Sequence, residues 1–285
     1  MKKAACLLLV CLMLLPMFSM FALAEEEDDM PDVVYLTISN QYGAIVIYYH
    51  EILLEDADGD GVTTVYDALY AAHEATYSGG AMRGFASNAQ HDELLKLWGY
   101  NRGPFGCYVN HESTDHTMGA RPKPDLTVPV KDGDYICAFV YRDDVTFSDT
   151  YSFFDMDTVT LQRGQSVTLT LRGYVVDENW EVQTVTIPNA TIVIDGEDTP
   201  YVTDENGQVT LSFSETDEYT VSAKSRLPDG QFLVSAVCHV VQEGVTIAPI
   251  WWVVLALGEL AFVGAMVYLF LRMQKKSAKD GAAQA

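Results

Sequence analysis

Hydrophobic and polar residues alternate with a two-residue period through much of the second half of the chain. The clearest case is Val167-Thr168-Leu169-Thr170-Leu171, which predicts a strand with one buried and one solvated face. Turn sequences such as Asn206-Gly207 separate similar runs at regular spacing. About seven short strands in about 100 residues, without a helical pattern, are typical of a β-sandwich. We therefore expect a sandwich over residues 145–246.

The preceding segment, residues 32–142, combines strands with one helix. Residues 33–38, 43–49 and 135–141 are rich in β-branched and aromatic side chains, which favours strands. Residues 64–76 place apolar side chains at helical spacing, with Thr63 or Thr64 as the N-cap. This pattern predicts an α+β domain.

Two long apolar runs at the ends of the chain predict its topology. Lys2 and Lys3 precede an apolar run that ends before a stretch of acidic residues, which is the pattern of a cleaved secretory signal peptide over residues 1–24. Residues 250–271 are almost wholly apolar and are followed by Arg272. At about 1.5 Å per residue they span about 33 Å, enough to cross a bilayer core of about 30 Å.

The distribution of charge fits a single-pass cell-membrane protein with most of its mass outside the cell. Basic residues follow the predicted membrane helix in residues 272–285, which places this tail in the cytoplasm. The chain carries a net charge of −23, and residues 25–249 hold 11 basic and 38 acidic side chains. Such an acidic exterior favours bound cations and excludes a nucleic-acid partner, which needs a basic surface.

An acidic loop precedes the predicted helix and has the spacing of a calcium-binding loop. Its sequence is D-x-D-x-D-G, in which alternate carboxylates converge on one cation and the glycine permits a sharp turn. Thr64 at position 9 and Asp67 at position 12 are in register, although Asp67 is shorter than the Glu of EF-hand loops. The element before the loop is a strand instead of the EF-hand helix. The predicted ligands are Asp56, Asp58, Asp60, Thr64, Asp67 and the Val62 carbonyl.

No catalytic constellation is recognisable, so we do not expect an enzyme. His111-Glu112-Ser113-Thr114-Asp115-His116 misses the H-E-x-x-H spacing by one residue and lies in a polar loop. A zinc site built by His111, Asp115 and His116 stays an alternative. Cys107 and Cys137 would form a disulfide if their strands were neighbours, and buried free thiols are the equal alternative.

Three segments of residues 32–142 carry a resemblance to a known family. The stretches VYDALYAAHEA, GPFGCYVNHES and VKDGDYICAFVYRD resemble the transcobalamin-like C-terminal domain family, a domain of unknown function in exported bacterial proteins. This resemblance implies kinship with the small domain of cobalamin carriers. The passage ATIVIDGEDTPYVTDENGQVTLSFSETDEYTVSA resembles bacterial immunoglobulin-like repeats, which implies a spacer or adhesive role.

Together these patterns predict a mainly β protein with one C-terminal transmembrane helix, anchored at the surface of a bacterial cell. We expect a calcium-stabilised extracellular domain that binds an unidentified protein or small ligand. The alternative is the capture of cobalamin or another small ligand for an uptake system. A purely structural spacer would bind no ligand beyond calcium.

Overall fold

The computed structural model describes residues 31–116, 121–176, 179, 181–224, 232–244, 262–268 and 272. The described part of the chain is mainly β and contains two units that we name by their residues. The first unit holds β1 (Val33–Ser39), β2 (Ile45–Leu53), α1 (Val65–Thr76), α2 (Gly80–Gly84), β3 (Ala86–Ser87), β4 (Leu94–Lys96), β5 (Phe105–Val109), β6 (Glu112–Ser113) and β7 (Tyr135–Val140). The second unit holds β8 (Thr150–Phe154), β9 (Thr158–Gln162), β10 (Ser166–Val176), β11 (Val182–Thr186), β12 (Thr191–Ile194), β13 (Glu197–Val202), β14 (Gln208–Ser212), β15 (Glu218–Lys224), β16 (Leu233–Val234) and β17 (Val237–Glu243).

One five-stranded sheet forms the framework of the first unit. Its strand order is β2-β1-β7-β5-β6, and β1 runs parallel to β7 while the other neighbours are antiparallel. One face of this sheet packs against α1 and α2, with Leu36, Ile38, Leu69 and Ile136 fully buried in the shared core. The predicted α+β arrangement of strands and one main helix is present in this unit.

Strand β7 is buried on both faces, because a second layer covers the side of the sheet that faces away from the helices. Ile136 and Ala138 belong to the core under α1, whereas Tyr135, Cys137 and Phe139 belong to a separate cluster on the opposite face. All six residues of β7 are buried. A continuous apolar strand of this kind is typical of a sheet that is covered on both sides.

Two sheets enclose the core of the second unit, as in a β-sandwich. One has the order β11-β10-β8-β16 with β14 also paired to β10, and the other has the order β13-β12-β15-β17-β9. Leu169 and Leu171 of the first sheet share a buried cluster with Ile192, Val221 and Val240 of the second. Val167, Leu169 and Leu171 of β10 lie inside and Thr168 is exposed, as the sequence predicted, whereas Thr170, predicted on the solvated face, is only 8% exposed.

The two units meet through a layer that we call the aromatic interface. Tyr108 of β5 and Tyr151 of β8 stack with ring centroids 3.7 Å apart and planes only 1° from parallel. Tyr49 of β2 stacks on His239 of β17 at 5.6 Å. Contacts of this kind between aromatic rings add to the gain from burial. The interface consists of Tyr35, Tyr49, Tyr108, Tyr135, Cys137, Phe139, Tyr141, Tyr151, Phe153, Tyr174 and Val234, together with His239.

The predicted end segments fall mostly outside the described residues. The signal peptide, residues 1–24, lies outside them entirely. Of the predicted membrane segment 250–271, only residues 262–268 are described, and they are helical. Within the described ranges, no helix reaches the length and apolarity needed to cross a membrane.

Candidate functional site

The acidic loop between β2 and α1 is folded around the Asp56 carboxylate. This carboxylate accepts backbone N–H groups from Gly59 at 2.7 Å, Asp60 at 3.2 Å and Gly61 at 2.8 Å. Gly59 and Gly61 have φ angles of 77° and 91°, a region that suits glycine because it lacks a Cβ. The hydrogen bonds from the backbone lower the pKa of Asp56, and the bond from Gly61 has the largest effect. The loop is therefore shaped by a carboxylate that stays ionised.

Three predicted ligands converge in this loop. One carboxylate oxygen from each of Asp56, Asp58 and Asp60 lies within 4.8 Å of the others, and all three residues are exposed. Hard cations such as Ca²⁺ prefer oxygen ligands of this type. Three like charges at this spacing repel one another by about 1 kcal/mol per pair even at the dielectric constant of water. A bound divalent cation would offset that repulsion.

Thr64 and Asp67 lie beside this cluster and bond to each other instead of joining it. Asp67 is only 1% exposed, and one of its oxygens accepts both the N–H and the hydroxyl of Thr64, at 2.8 and 2.7 Å. Its other oxygen accepts the N–H of Ala57 at 2.8 Å. Asp67 therefore caps α1 and ties the loop to the helix. The side chain of Val62 is 48% exposed.

The segment 126–130 holds the end of the acidic loop in place through backbone hydrogen bonds. At the N-terminus of α1, the N–H group of Val65 donates to the Val128 carbonyl and that of Tyr66 donates to the Leu126 carbonyl, at 3.0 Å each. Thr63 accepts the N–H of Val130 through its carbonyl at 3.0 Å. These bonds satisfy helix N–H groups that lack a partner within the helix, so the loop exit is rigid.

A histidine 33 positions after Asp58 also contacts the loop, and the sequence pattern did not indicate it. His91 places its Nε2 atom 3.5 Å from the Asp58 carboxylate. Its ring stacks on Tyr66 with centroids 3.7 Å apart, and its Nδ1 atom lies 2.7 Å from the Ser87 hydroxyl. No local motif marks this residue, since only the fold brings the segment after α2 next to the loop.

A second candidate site is a cleft of about 1310 Å³ between the two units. It is bounded by β5 and β6, by the connection between β7 and β8, and by β10 and β11. Aromatic side chains line much of it, and Glu112, Asp115 and Arg121 lie among the polar groups of its lining. No sequence pattern predicted this cleft, because its opposite wall comes from the second unit.

The residues of the alternative zinc site do not converge. His111 instead reaches across to the second unit, with its Nε2 3.1 Å from the Asp157 carboxylate and its Nδ1 3.0 Å from the Tyr151 hydroxyl. In the part of the chain that the structure describes, Asp56, Asp58 and Asp60 are the one group of three potential ligands within metal-binding distance. His111 serves the contact between the units.

The three cysteines of the described residues are buried free thiols. Cys107 and Cys137 lie on neighbouring strands, where Cys107 is opposite Ala138 and Tyr108 is opposite Cys137. This offset of one residue points their side chains to opposite faces of the sheet: Cys107 belongs to the core under α1 and Cys137 to the aromatic interface. Burial raises the pKa of the Cys107 thiol to about 12, so it is chemically inert.

Comparison with known proteins adds little to this geometry. No protein-family model and no curated protein matches the chain. A solved structure of fibronectin(III)-like modules of Clostridium thermocellum CbhA is similar over 52% of this chain and 83% of its own, with 8% identity and a TM-score of 0.28. A score of that size carries no argument about fold or function.

Proposed function

We propose that this chain is a membrane-anchored bacterial cell-surface protein whose extracellular first domain is stabilised by calcium and binds a partner outside the cell. The observation that carries the proposal is the convergence of three carboxylates within 4.8 Å. The surrounding loop is held by backbone bonds to Asp56 and by the buried Asp67, so a cation would bind without reorganising it. Preorganised ligands lose less entropy on binding.

The domain assignment rests on the sequence patterns and is compatible with the layers of the fold. We assign residues 32–142 as a transcobalamin-like C-terminal-type domain and residues 145–246 as an immunoglobulin-like domain. The anchor is assigned to residues 250–271, with residues 272–285 in the cytoplasm. The acidic loop lies on the exterior of the first unit, where extracellular calcium would have access to it.

Titration calorimetry tests the calcium site directly. The full-length chain in a neutral detergent is titrated with calcium at millimolar concentration, the range of weak extracellular sites of roughly 10⁻⁴–10⁻³ M. We expect a saturable heat that Asp58→Asn removes. Glu205→Gln is the matched control, because it removes one negative charge from an exposed turn of the second unit. A wild-type protein that gives no heat would refute the calcium proposal.

Capture experiments with and without calcium test the interaction role. The wild-type chain and the Asp58→Asn variant are used to recover partners from the surface proteins of the source organism. We expect a partner that is retained in calcium and released by a chelator, and that the variant fails to retain. A partner that binds equally under all these conditions would separate the interaction from calcium. Cobalamin capture stays a prediction of the family resemblance, which a visible-range cobalamin titration tests.

A further inference from the structure

The cleft between the units is large enough to admit a small molecule. Its volume of about 1310 Å³ exceeds the range of about 300–1,000 Å³ that holds most small ligands. Its walls come from the sheets of both units, which the aromatic interface joins, and from the connection between β7 and β8, so the cleft is present without a ligand. Ligand sites are frequent at such junctions between units.

Aromatic rings line this cleft from both units. Tyr108 and Tyr174 stand on opposite units with ring centroids 6.2 Å apart, and Tyr141 meets Phe147 edge-on at 6.1 Å. The face of an aromatic ring carries partial negative charge and attracts cations. Exposed Val176 and Val182 add apolar contact at the β10–β11 edge.

The charged groups of the cleft make it negative. Glu112 and Asp115 line it. Burial raises the pKa of Tyr174, and the nearby charge of Glu112 raises it further. Arg121 also lines the cleft, and its guanidinium donates to the carbonyls of Arg102 and Gly103 at 2.8 and 2.7 Å. It keeps its positive charge, which offsets one of the two carboxylates and leaves these three groups with a net negative charge. Anionic ligands are therefore disfavoured, and the acidic body around the cleft strengthens this effect.

We propose that the cleft binds a small organic cation, an ammonium group carried on an apolar or aromatic body. The carboxylates of Glu112 and Asp115 would neutralise its charge, and the rings of Tyr174 and Phe147 would contact its alkyl and aryl surface. Simple metal ions lack the apolar body, and neutral aromatics lack the charge. The site is separate from the acidic loop and does not require calcium.

Binding of three matched probes tests the charge selectivity. The full-length chain in neutral detergent is titrated with benzyltrimethylammonium, benzyl alcohol and phenylacetate, once with calcium and once with a chelator. We expect saturable binding of the cation under both conditions, with benzyl alcohol roughly tenfold weaker and no binding of phenylacetate. Absence of cation binding up to about 10 mM, or equal affinity for benzyl alcohol, would overturn the proposal. Neither outcome depends on the calcium titration.

Two variants locate the site. Glu112 is exposed on the short edge strand β6, so Glu112→Gln should leave the fold intact and weaken cation binding roughly three- to fivefold. Glu205→Gln removes the same charge from a distant turn and should leave the affinity unchanged. Phe147→Leu keeps apolar bulk but removes the ring, and it should weaken the cation more than benzyl alcohol, because only the cation is attracted by the partial negative charge of the ring face. Equal effects of Glu112→Gln and Glu205→Gln would assign the binding to net charge and overturn the site.

Discussion

Replacing Gly106 with alanine tests the closest packing in the aromatic interface. Gly106 lies opposite Phe139 in the β5–β7 pair, and a Cβ at position 106 would lie 2.1 Å from Cζ of the Phe139 ring and 2.5 Å from Cε1. Phe139 is 1% exposed and is held by Tyr108 and Tyr141, with ring centroids at 6.1 and 5.0 Å. The ring can therefore move away from an added Cβ only if Tyr108 or Tyr141 shifts with it.

The expected loss follows from two opposing effects. Overpacking of a filled core costs about 1–3 kcal/mol, while replacing a strand glycine with alanine recovers roughly 0.5–1 kcal/mol of chain entropy. We expect Gly106→Ala to lower the free energy of unfolding by about 1–2 kcal/mol. For a folded body of about 200 residues, this corresponds to a fall in Tm of roughly 2–8 °C.

Calorimetric unfolding of the full-length chain measures this effect against a matched glycine. Gly244→Ala is the control, because the nearest atoms to its added Cβ belong to Thr216 and lie 3.6 and 3.7 Å away. Phe139→Leu should relieve part of the clash, so the double variant should lose about 1 kcal/mol less than the sum of the single variants. Equal Tm values for Gly106→Ala and Gly244→Ala, or strictly additive losses, would refute this account of the packing.

Three further predictions concern metal, polar burial and pH. Calcium at about 10 mM should stabilise the wild type by about 1.4–2.7 kcal/mol, seen as a rise in Tm of roughly 3–10 °C that Asp58→Asn abolishes; a variant that keeps the rise would place the ion elsewhere. Gln242 is 1% exposed, and neither polar atom of its side chain has a partner among the described residues, so Gln242→Met should raise the free energy of unfolding in urea by about 1–3 kcal/mol; a loss would show that the amide is satisfied. Burial lowers the pKa of His73 from 6.5 to about 4, while its Nδ1 donates to the Leu69 carbonyl and its Nε2 accepts the Trp98 N–H. As the pH falls, the unfolded chain binds this proton at a higher pH than the folded chain does. The contribution of neutral His73 to the free energy of unfolding is therefore fully present above pH 6.5 and is lost as the pH is lowered towards 4, by up to about 1.4 kcal/mol per pH unit. His73→Gln should flatten the pH dependence of the free energy of unfolding, measured in urea between about pH 7 and 5, and an unchanged slope would contradict the assignment.

Local patterns predicted the elements whose side chains divide cleanly into a buried and a solvated face. Helix α1 was predicted at residues 64–76 and begins after the cap Thr64, because its apolar spacing and cap are both encoded nearby. Gly207 of the predicted Asn206-Gly207 turn has a positive φ of 73°. Edge strands β11 and β13 were missed, since their mostly exposed residues show no alternation.

Contacts between distant segments were beyond local patterns. His91 lies beside Asp58 because the chain passes through α2 and β3 before it returns to the loop. No local sequence spacing indicates this contact. The aromatic interface did leave a signal: residues 135–140 are apolar without interruption, and such a strand needs cover on both faces. Tyr135 and Phe139 were assigned no partner, because a spacer or adhesive role for the second unit does not require it to pack on the first.

The burial of β7 on both faces limits the recombination of either unit with domains of other proteins. A first unit moved alone into a new protein would carry the outward-facing row Tyr135, Cys137 and Phe139 into water, and exposed apolar patches of this kind promote aggregation. A foreign sandwich joined in its place would have to supply matching rings at the positions of Tyr151 and Phe153. The two units should therefore be inherited together, with substitutions on one side of the interface accompanied by changes on the other.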